Sequence, residues 1–505
     1  MKQRFWLILG MLGLMMVVLL LLNYQAQADF NHTSDVLLSS ESEPCSAVKP
    51  RLATSSDKHW LAVAWVQEDE KSGGGCHANA GRAILRWATE ETSPSGWQGP
   101  LAVFDTSNGC INHVDVALDG ATAHIVATIQ KPCVDTTNSS LLYRTCNLTT
   151  GECTAEIEVY RETNPQLHLL EAYITLDQYG RPHIVYGRRE IADDELTAVS
   201  EVRYTRQGSG GTWKHIRLSG ESEKAYRPTI TWGYSPTDAQ GYVHFAWETH
   251  EALSSGQLEG SINGRTHYRR CPDDAETVAG AINCNNNPDQ MGLPDKTHSR
   301  PALAVSGDRV ILVWNRCDDV DTNPPCEKFN LLYRRSETTG WGFSEPIDAI
   351  SEQDPAYGNL IKYEGTDYES LEYEASLHPA LTVNNAGLPV IAWQVKKHGI
   401  EGGYTLTTTW VYSQTTSRLY WEDTGWAEGN GYDTRVAASI SVPDPIAEPQ
   451  GLHLVFMQRE GLYTPYRIYY SYFGDTQYVT PTPTATPIPE EGLSIYLPLV
   501  ARNHH

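Results

Sequence analysis

The chain has 505 residues, 40% of them hydrophobic, enough for several small domains or one large repeat array. Its 62 acidic residues against 38 basic ones give a formal net charge of −24. That excludes nucleic acid as a partner, since a phosphate backbone demands a basic face, and it disfavours adsorption to anionic lipid. Trp (14) and Tyr (27) are plentiful while Phe (8) and Met (6) are few, a balance suited to strand surfaces that pack at one end and meet water at the other.

Residues 1–28 read as an export signal. Lys2 and Arg4 precede an apolar run from Phe5 to Leu22, and Ala26-Gln27-Ala28 offers a small-x-small cleavage site. The run exceeds the usual signal core of about 7–15 residues, so a retained N-terminal membrane anchor is the alternative. Either reading makes the protein secreted or displayed at the cell surface. Ten Cys then fit five disulfides.

From about residue 34 to 478 a unit with two halves recurs. The leading half is an apolar strand, a turn, and a second strand ending in an aromatic residue. It is seen at Leu61 to Trp65, His183 to Tyr186, Val243 to Trp247, Val310 to Trp314 and Val390 to Trp393. The trailing half carries a Tyr-Arg or similar pair: Leu85-Arg86-Trp87, Leu142-Tyr143-Arg144, Val202-Arg203-Tyr204, His267-Tyr268-Arg269, Leu332-Tyr333-Arg334, Leu419-Tyr420-Trp421 and Ile468-Tyr469-Tyr470. Copies begin near residues 50, 113, 172, 228, 301, 379 and 436. That spacing of roughly 56 to 78 residues suits four-stranded propeller blades, none of which can bury its faces alone. The expected fold is all-β: a single β-propeller of about seven four-stranded blades, with six as the alternative count. A tandem of β-sandwiches competes, but would want units nearer about 100 residues. The last copy runs out after its third strand, near Phe473, and Ser34 to Ser39 resembles the fourth strand of other copies. The N-terminal strand is therefore predicted to complete the last blade and remove an exposed edge.

The cysteines follow the repeat. The predicted pairs are Cys45–Cys76, Cys110–Cys133, Cys146–Cys153, Cys271–Cys284 and Cys317–Cys326, each contributing about 2–4 kcal/mol if unstrained. Residues 479–492 form a Pro/Thr linker, extended and semi-rigid. Residues 493–505 are a short apolar tail that resembles terminal tags of exported bacterial proteins; a disordered stub is the other reading.

The Gly-Trp turns resemble the Asp-box turn of sialidases, Ser-x-Asp-x-Gly-x-Thr-Trp. Gln207 to Trp213 is the nearest match, and Ser93 to Trp97 and Ser336 to Trp341 are looser; the box aspartate is missing in all three. The resemblance implies a sialidase-like propeller over residues 34–475. It also implies a family activity in which three arginines hold an anionic sugar, a Tyr/Glu pair is the nucleophile and an Asp the acid/base. The Arg-Ile-Pro motif that carries one of those arginines is absent.

Candidate site residues come from the repeat. A cation recurs where each first strand begins, at the face where propellers commonly bind ligands: Lys49, Arg227, Arg300, His378 and Arg435. In an acidic chain such a ring would trap anions, and arginine suits bidentate carboxylate binding. The competing reading is that these cations are repeat consensus, paired with carboxylates. The insertion from Ser351 to Ser376 holds Tyr363-Glu364, Tyr368-Glu369 and Tyr373-Glu374; a Tyr bonded to a Glu is the pair a retaining sialidase uses. Tyr363, Glu364, Tyr368, Glu369, Glu248 and Asp318 are the catalytic candidates, with the acidic loop alternatively a lid or a Ca²⁺ site. His124, His183, His244 and His453 recur in the second strands, where a hydrogen-bonding role between blades is expected. No cofactor is expected beyond a structural Ca²⁺ near Asp318-Asp319-x-Asp321, and a monomer is expected. The functional expectation is a propeller that binds an extracellular ligand, a glycan first of all, at the channel mouth. A glycoside hydrolase or lyase and a protein-interaction scaffold are the alternatives.

Overall fold

The computed structural model describes residues 36–473 apart from internal segments, the longer of which are 191–199, 253–261, 275–283, 318–328, 349–372 and 428–451. The signal segment, the linker and the tail lie outside the described residues. Those described are all strand and turn, with no helix.

β1 (Val36–Leu37) stands apart at the start. Blade one then follows as β2 (Ala47–Thr54), β3 (Trp60–Glu70), β4 (Cys76–Thr89) and β5 (Gln98–Ala102). Blade two is β6 (Cys110–Asp119), β7 (Thr122–Gln130), β8 (Ser139–Asn147) and, past the short β9 (Glu152–Cys153), β10 (Ile157–Glu162). Blade three is β11 (Leu167–Leu176), β12 (Pro182–Glu190), β13 (Ser200–Gln207) and β14 (Trp213–Arg217). Blade four is β15 (Ala225–Ser235), β16 (Gln240–Ala252), β17 (Ile262–Pro272) and β18 (Asp289–Gln290). Blade five is β19 (Thr297–Ser306), β20 (Arg309–Cys317), β21 (Phe329–Ser336) and β22 (Ile347–Asp348), and blade six is β23 (Tyr373–Val383), β24 (Pro389–Ile400), β25 (Tyr404–Thr415) and β26 (Arg418–Ala427). The last sheet is β27 (Leu452–Gln458) and β28 (Arg467–Phe473) with β1 on its edge. Each sheet is an antiparallel meander, and blades one and two are bridged by a single pairing of Gly81 with Ile111.

The closure expected from the sequence is present. Val36 pairs with Tyr470 and Leu37 with Tyr469. Arg467 on β28 donates to the carbonyls of Cys45 (3.1 Å), Glu43 (2.7 Å) and Glu41 (3.1 Å), so the two ends of the propeller are held together.

The cores lie between sheets, which is why no unit is stable alone. Val126, Leu141 and Tyr143 of blade two pack with Leu169, Ile174 and Tyr186 of blade three. Val185, Val202 and Tyr204 pack with Val243, Phe245 and Trp247 of blade four, and Tyr268 and Met291 with Leu303, Leu312 and Trp314 of blade five. The second strands run on past their aromatic residues, to Glu70, Ala252 and Cys317, and Trp65, Trp247 and Trp314 are among the most deeply buried side chains.

The repeat consensus has physical reasons. The third-strand arginines reach back one blade: Arg86 to the carbonyl of Leu38, Arg144 to Val103, Arg269 to Leu218 and Arg334 to Met291. The recurring histidines bond a third-strand tyrosine: His124 to Tyr143 (2.7 Å), His183 to Tyr204 (2.6 Å), His244 to Tyr268 (2.7 Å) and His453 to Tyr470 (2.6 Å). This corrects the expectation of bonds between blades. Each pair joins neighbouring strands of one sheet on a diagonal, while the residue directly opposite His183, Arg206, donates to the Asp273 carbonyl of blade four. The glycine of the Gly-Trp turn is steric: at Gly340 (φ 85°) a Cβ would lie 1.9 Å from the Tyr268 hydroxyl of the preceding blade.

Four of the expected disulfides are present, Cys45–Cys76, Cys110–Cys133, Cys146–Cys153 and Cys271–Cys284. Cys317 ends β20, and Cys326 lies outside the described residues.

Candidate functional site at the channel mouth

The first strands of successive blades lie side by side, β2 against β6, β6 against β11, β11 against β15, and on to β19 and β23. Each carries a β-bulge near its start, between Val48 and Arg51, Ile111 and His113, Leu169 and Ala172, Tyr226 and Thr229, Ser299 and Ala302, and Leu377 and Ala380. A bulge re-aims the side chains beside it. Of the cations expected from sequence, Lys49, Arg227, Arg300 and His378 sit in these bulges. Lys49 (φ 55°) and Arg227 (φ 46°) adopt the left-handed conformation that non-glycine residues rarely take, at a cost of order 1–3 kcal/mol each. Both are followed by proline, which fixes the next turn of the chain.

Lys49 Nζ donates to the Asn112 carbonyl of blade two at 2.7 Å. Arg227 pairs with Glu248 at 2.6 Å; the Glu248 side chain is fully buried and that of Arg227 is 43% exposed. Glu248 is thus the counter-ion of Arg227. Arg300 and His378 occupy the same bulge positions in β19 and β23, and their side chains lie outside the described residues, as do Arg435, Tyr363, Glu364, Tyr368, Glu369 and Asp318.

Five further residues join this patch, and none of them stood out in the sequence. Arg51 extends from β2 across two blades. One of its terminal nitrogens is 3.0 Å from His113 Nε2 and donates to the Tyr173 hydroxyl at 2.9 Å. Its guanidinium carbon stands 4.6 Å from the centre of the Tyr173 ring, a cation–π contact. Asp115 lies 4.0 Å from Arg51 Nε. Tyr173 donates its hydroxyl proton to Glu171 at 3.0 Å. Arg227 is within electrostatic reach of Glu171 and Tyr173, and Lys49 of His113, so the patch is continuous over blades one to four.

The environment sets the protonation of these groups. Burial, then the positive charges of Arg51 and Lys49, hold His113 well below the usual imidazole range. Burial raises Asp115 to about 6 against the pull of Arg51. Burial and Glu171 push the Tyr173 phenol upward, so it stays protonated. Glu248 and burial act in opposite senses on Arg227, with the carboxylate prevailing. Arg51 and Arg227 thus flank a tyrosine hydrogen-bonded to a glutamate.

One signal in the sequence does mark these residues. Lys49-x-Arg51, His113-x-Asp115 and Glu171-x-Tyr173 place polar groups on one face of strands that neighbouring blades would otherwise cover with apolar ones. Among the described residues no group of His, Cys, Asp or Glu is arranged to hold a metal ion.

No protein-family model and no curated relative matches the chain. Solved structures do. An ulvan lyase of polysaccharide lyase family 25, bound to -[GlcA(1-4)Rha3S]-, aligns with a TM-score of 0.50 and 10% identity over 86% of this chain and 95% of its own. The GH93 α-L-arabinofuranosidase of Fusarium graminearum has a TM-score of 0.45 and 10% identity over 75% of this chain and 97% of its own. The NanB sialidase of Streptococcus pneumoniae has a TM-score of 0.39 and 9% identity over 89% of this chain and 71% of its own. The chain is an all-β propeller in fold.

Proposed function

We propose that this is an exported propeller that binds a carboxylate-bearing glycan at the channel mouth of blades one to four. The observation that carries the reading is Arg51, held by His113 and Tyr173 from the two following blades, with Arg227 completing the charged surface. Guanidinium groups fixed in place bind carboxylates with little further loss of rotamer freedom. Export is supported by four disulfides in a chain that begins with a signal-like segment. A uronate in the ligand of the ulvan lyase agrees with this ligand class. The test is a glycan array that includes sialosides and uronate oligomers, followed by calorimetry on the hits. Arg51→Ala and Arg227→Ala should each weaken binding of an acidic glycan by about tenfold or more. Equal binding of neutral and acidic glycans, unaffected by either substitution, would reject the proposal.

Tyr173 and Glu171 favour a second reading, a glycoside hydrolase. The carboxylate is placed to accept the phenol proton as the oxygen attacks an anomeric carbon, and Asp115, protonated near pH 6, is a candidate acid for the leaving group. Turnover of a fluorogenic sialoside that disappears in Tyr173→Phe would support it. Absence of turnover across a panel of sialosides and uronosides leaves binding as the activity.

A further inference from the structure

We infer that His113 and Asp115 of blade two are positioning residues that aim the Arg51 guanidinium at the channel mouth and set how much of its charge an anionic ligand meets. This rests on the reading of the mouth as an acidic-glycan site.

The layering carries the inference. The Arg51 side chain is 25% exposed and that of Asp115 12%, while His113 is only 2% exposed. His113 therefore lies beneath the arginine and cannot itself meet a bulky sugar. It offers Nε2 to Arg51 at 3.0 Å. Blade three fixes both blade-two residues through its backbone: the Ile174 N–H donates to Asp115 Oδ2 at 2.9 Å, and the Ala172 N–H faces His113 Nδ1 at 3.4 Å. A neutral imidazole has one lone pair, and the shorter contact assigns it to Nε2; a second proton there would point at the Arg51 guanidinium, so the ring is held neutral. Arg51 Nε is buried without a hydrogen bond, and Asp115 stands 4.0 Å away as a pure charge.

A carboxylate at that distance offsets the arginine's charge without engaging the terminal nitrogens that would grip a ligand. When Asp115 is ionised, the Arg51–Asp115 unit is neutral. When it is protonated, the unit carries a full positive charge. Burial places that change at about pH 6, so affinity for a carboxylate should rise as pH falls through 6. The charged and titratable groups around Asp115 are Arg51 from β2, Tyr173 from β11 and His113 on its own strand, with Glu171 and Lys49 one step further out. β7 presents Val126 opposite. Neither His113, held low, nor Tyr173, pushed high, changes charge in this window.

The experiment uses the mature full chain and an oligogalacturonate, whose carboxylates are ionised from pH 5 upward. Calorimetry should give binding about tenfold tighter at pH 5 than at pH 8, the size expected when one nearby charge is neutralised. Asp115→Asn should bind tightly at both pH values. His113→Phe should weaken binding by about tenfold at both, and His113→Gln, which keeps an acceptor for Arg51, should largely restore it. A ligand-free readout separates this from the glycan reading: carbon-detected NMR of the Asp115 carboxyl, whose titration midpoint should rise by about a unit in Arg51→Ala. An unmoved midpoint, or an Asp115→Asn pH profile matching the wild type, overturns the inference. A moved midpoint with no oligogalacturonate binding at either pH keeps the positioning role and rejects that ligand.

Discussion

Two of the histidines that bond a tyrosine on the next strand, His124 in blade two and His244 in blade four, make the molecule acid-sensitive in a defined window. Burial lowers His124 to about 4 and His244 to about 3, whereas the unfolded chain carries histidines near 6.5. Between those values the unfolded state binds more protons, so stability is full above about pH 6.5 and falls as pH drops toward 4. His124 and His244 should each cost about 3 kcal/mol by pH 4. Urea unfolding midpoints at pH 7 and pH 4.5 measure this. His244→Phe, which fills the space but does not titrate, should lose less of its midpoint than the wild type between those two conditions. At the same scale, Arg227→Ala should destabilise by about 2–3 kcal/mol, because Glu248 would remain buried without its counter-ion. Arg227→Ala combined with Glu248→Gln should recover most of that stability and none of the glycan affinity. Recovery of both in a binding assay would make Arg227 structural.

Strands are joined into blades by their ladders, and blade is joined to blade by packing and by side-chain bonds to backbone carbonyls, among which the backward-reaching third-strand arginine recurs. Arg144 meets the carbonyl of Val103, a residue with no exposure. Arg144→Met keeps the alkyl packing and strands that carbonyl, at about 1–3 kcal/mol. The same change at Arg269 should add to it, because the two arginines serve different blade interfaces. Denaturant midpoints of the two single variants and the double variant decide, and marked non-additivity would mean that strain passes between blades. These arginines also explain why the fold was legible in the sequence and the site was not. The Tyr-Arg pair, the second-strand His and the terminal Trp recur because each makes the same contact in blade after blade, so packing writes itself as a period. Arg51 meets Tyr173 only because three first strands converge on one axis, and no local pattern encodes that distance. The Tyr-Glu pairs at 363–364 and 368–369 stand out through adjacency, yet neighbours on a strand face opposite ways. Among the described residues the bonded Tyr–Glu pairs at this spacing, Glu171 with Tyr173 and Tyr160 with Glu162, are two residues apart on one face.

The whole molecule depends on a closure that no single blade supplies. In an open repeat array stability is a sum over neighbours, and an end can fray without disturbing the middle. Here β1 covers the edge of β28, and Arg467 ties that strand to the carbonyls of Glu41, Glu43 and Cys45, next to the Cys45–Cys76 disulfide. Leu38 and Tyr470 belong to the same buried cluster as Trp65 and Leu85 of blade one, so the seam is continuous with the core. Removing residues through Leu38 would bare the edge of β28 and open that cluster. The truncated protein should melt at a lower temperature and form oligomers, since an unpaired strand edge recruits other chains. Arg467→Ala, which loses three charge-assisted bonds but keeps β1, should show a smaller drop and remain monodisperse. Calorimetry with light scattering on both variants checks the order. A truncated chain that melts with the wild type and stays monodisperse would show that the blades hold their ring without the N-terminal strand. The arrangement at the mouth, built from Lys49 and Arg51 only a few residues beyond the seam, would then be independent of it.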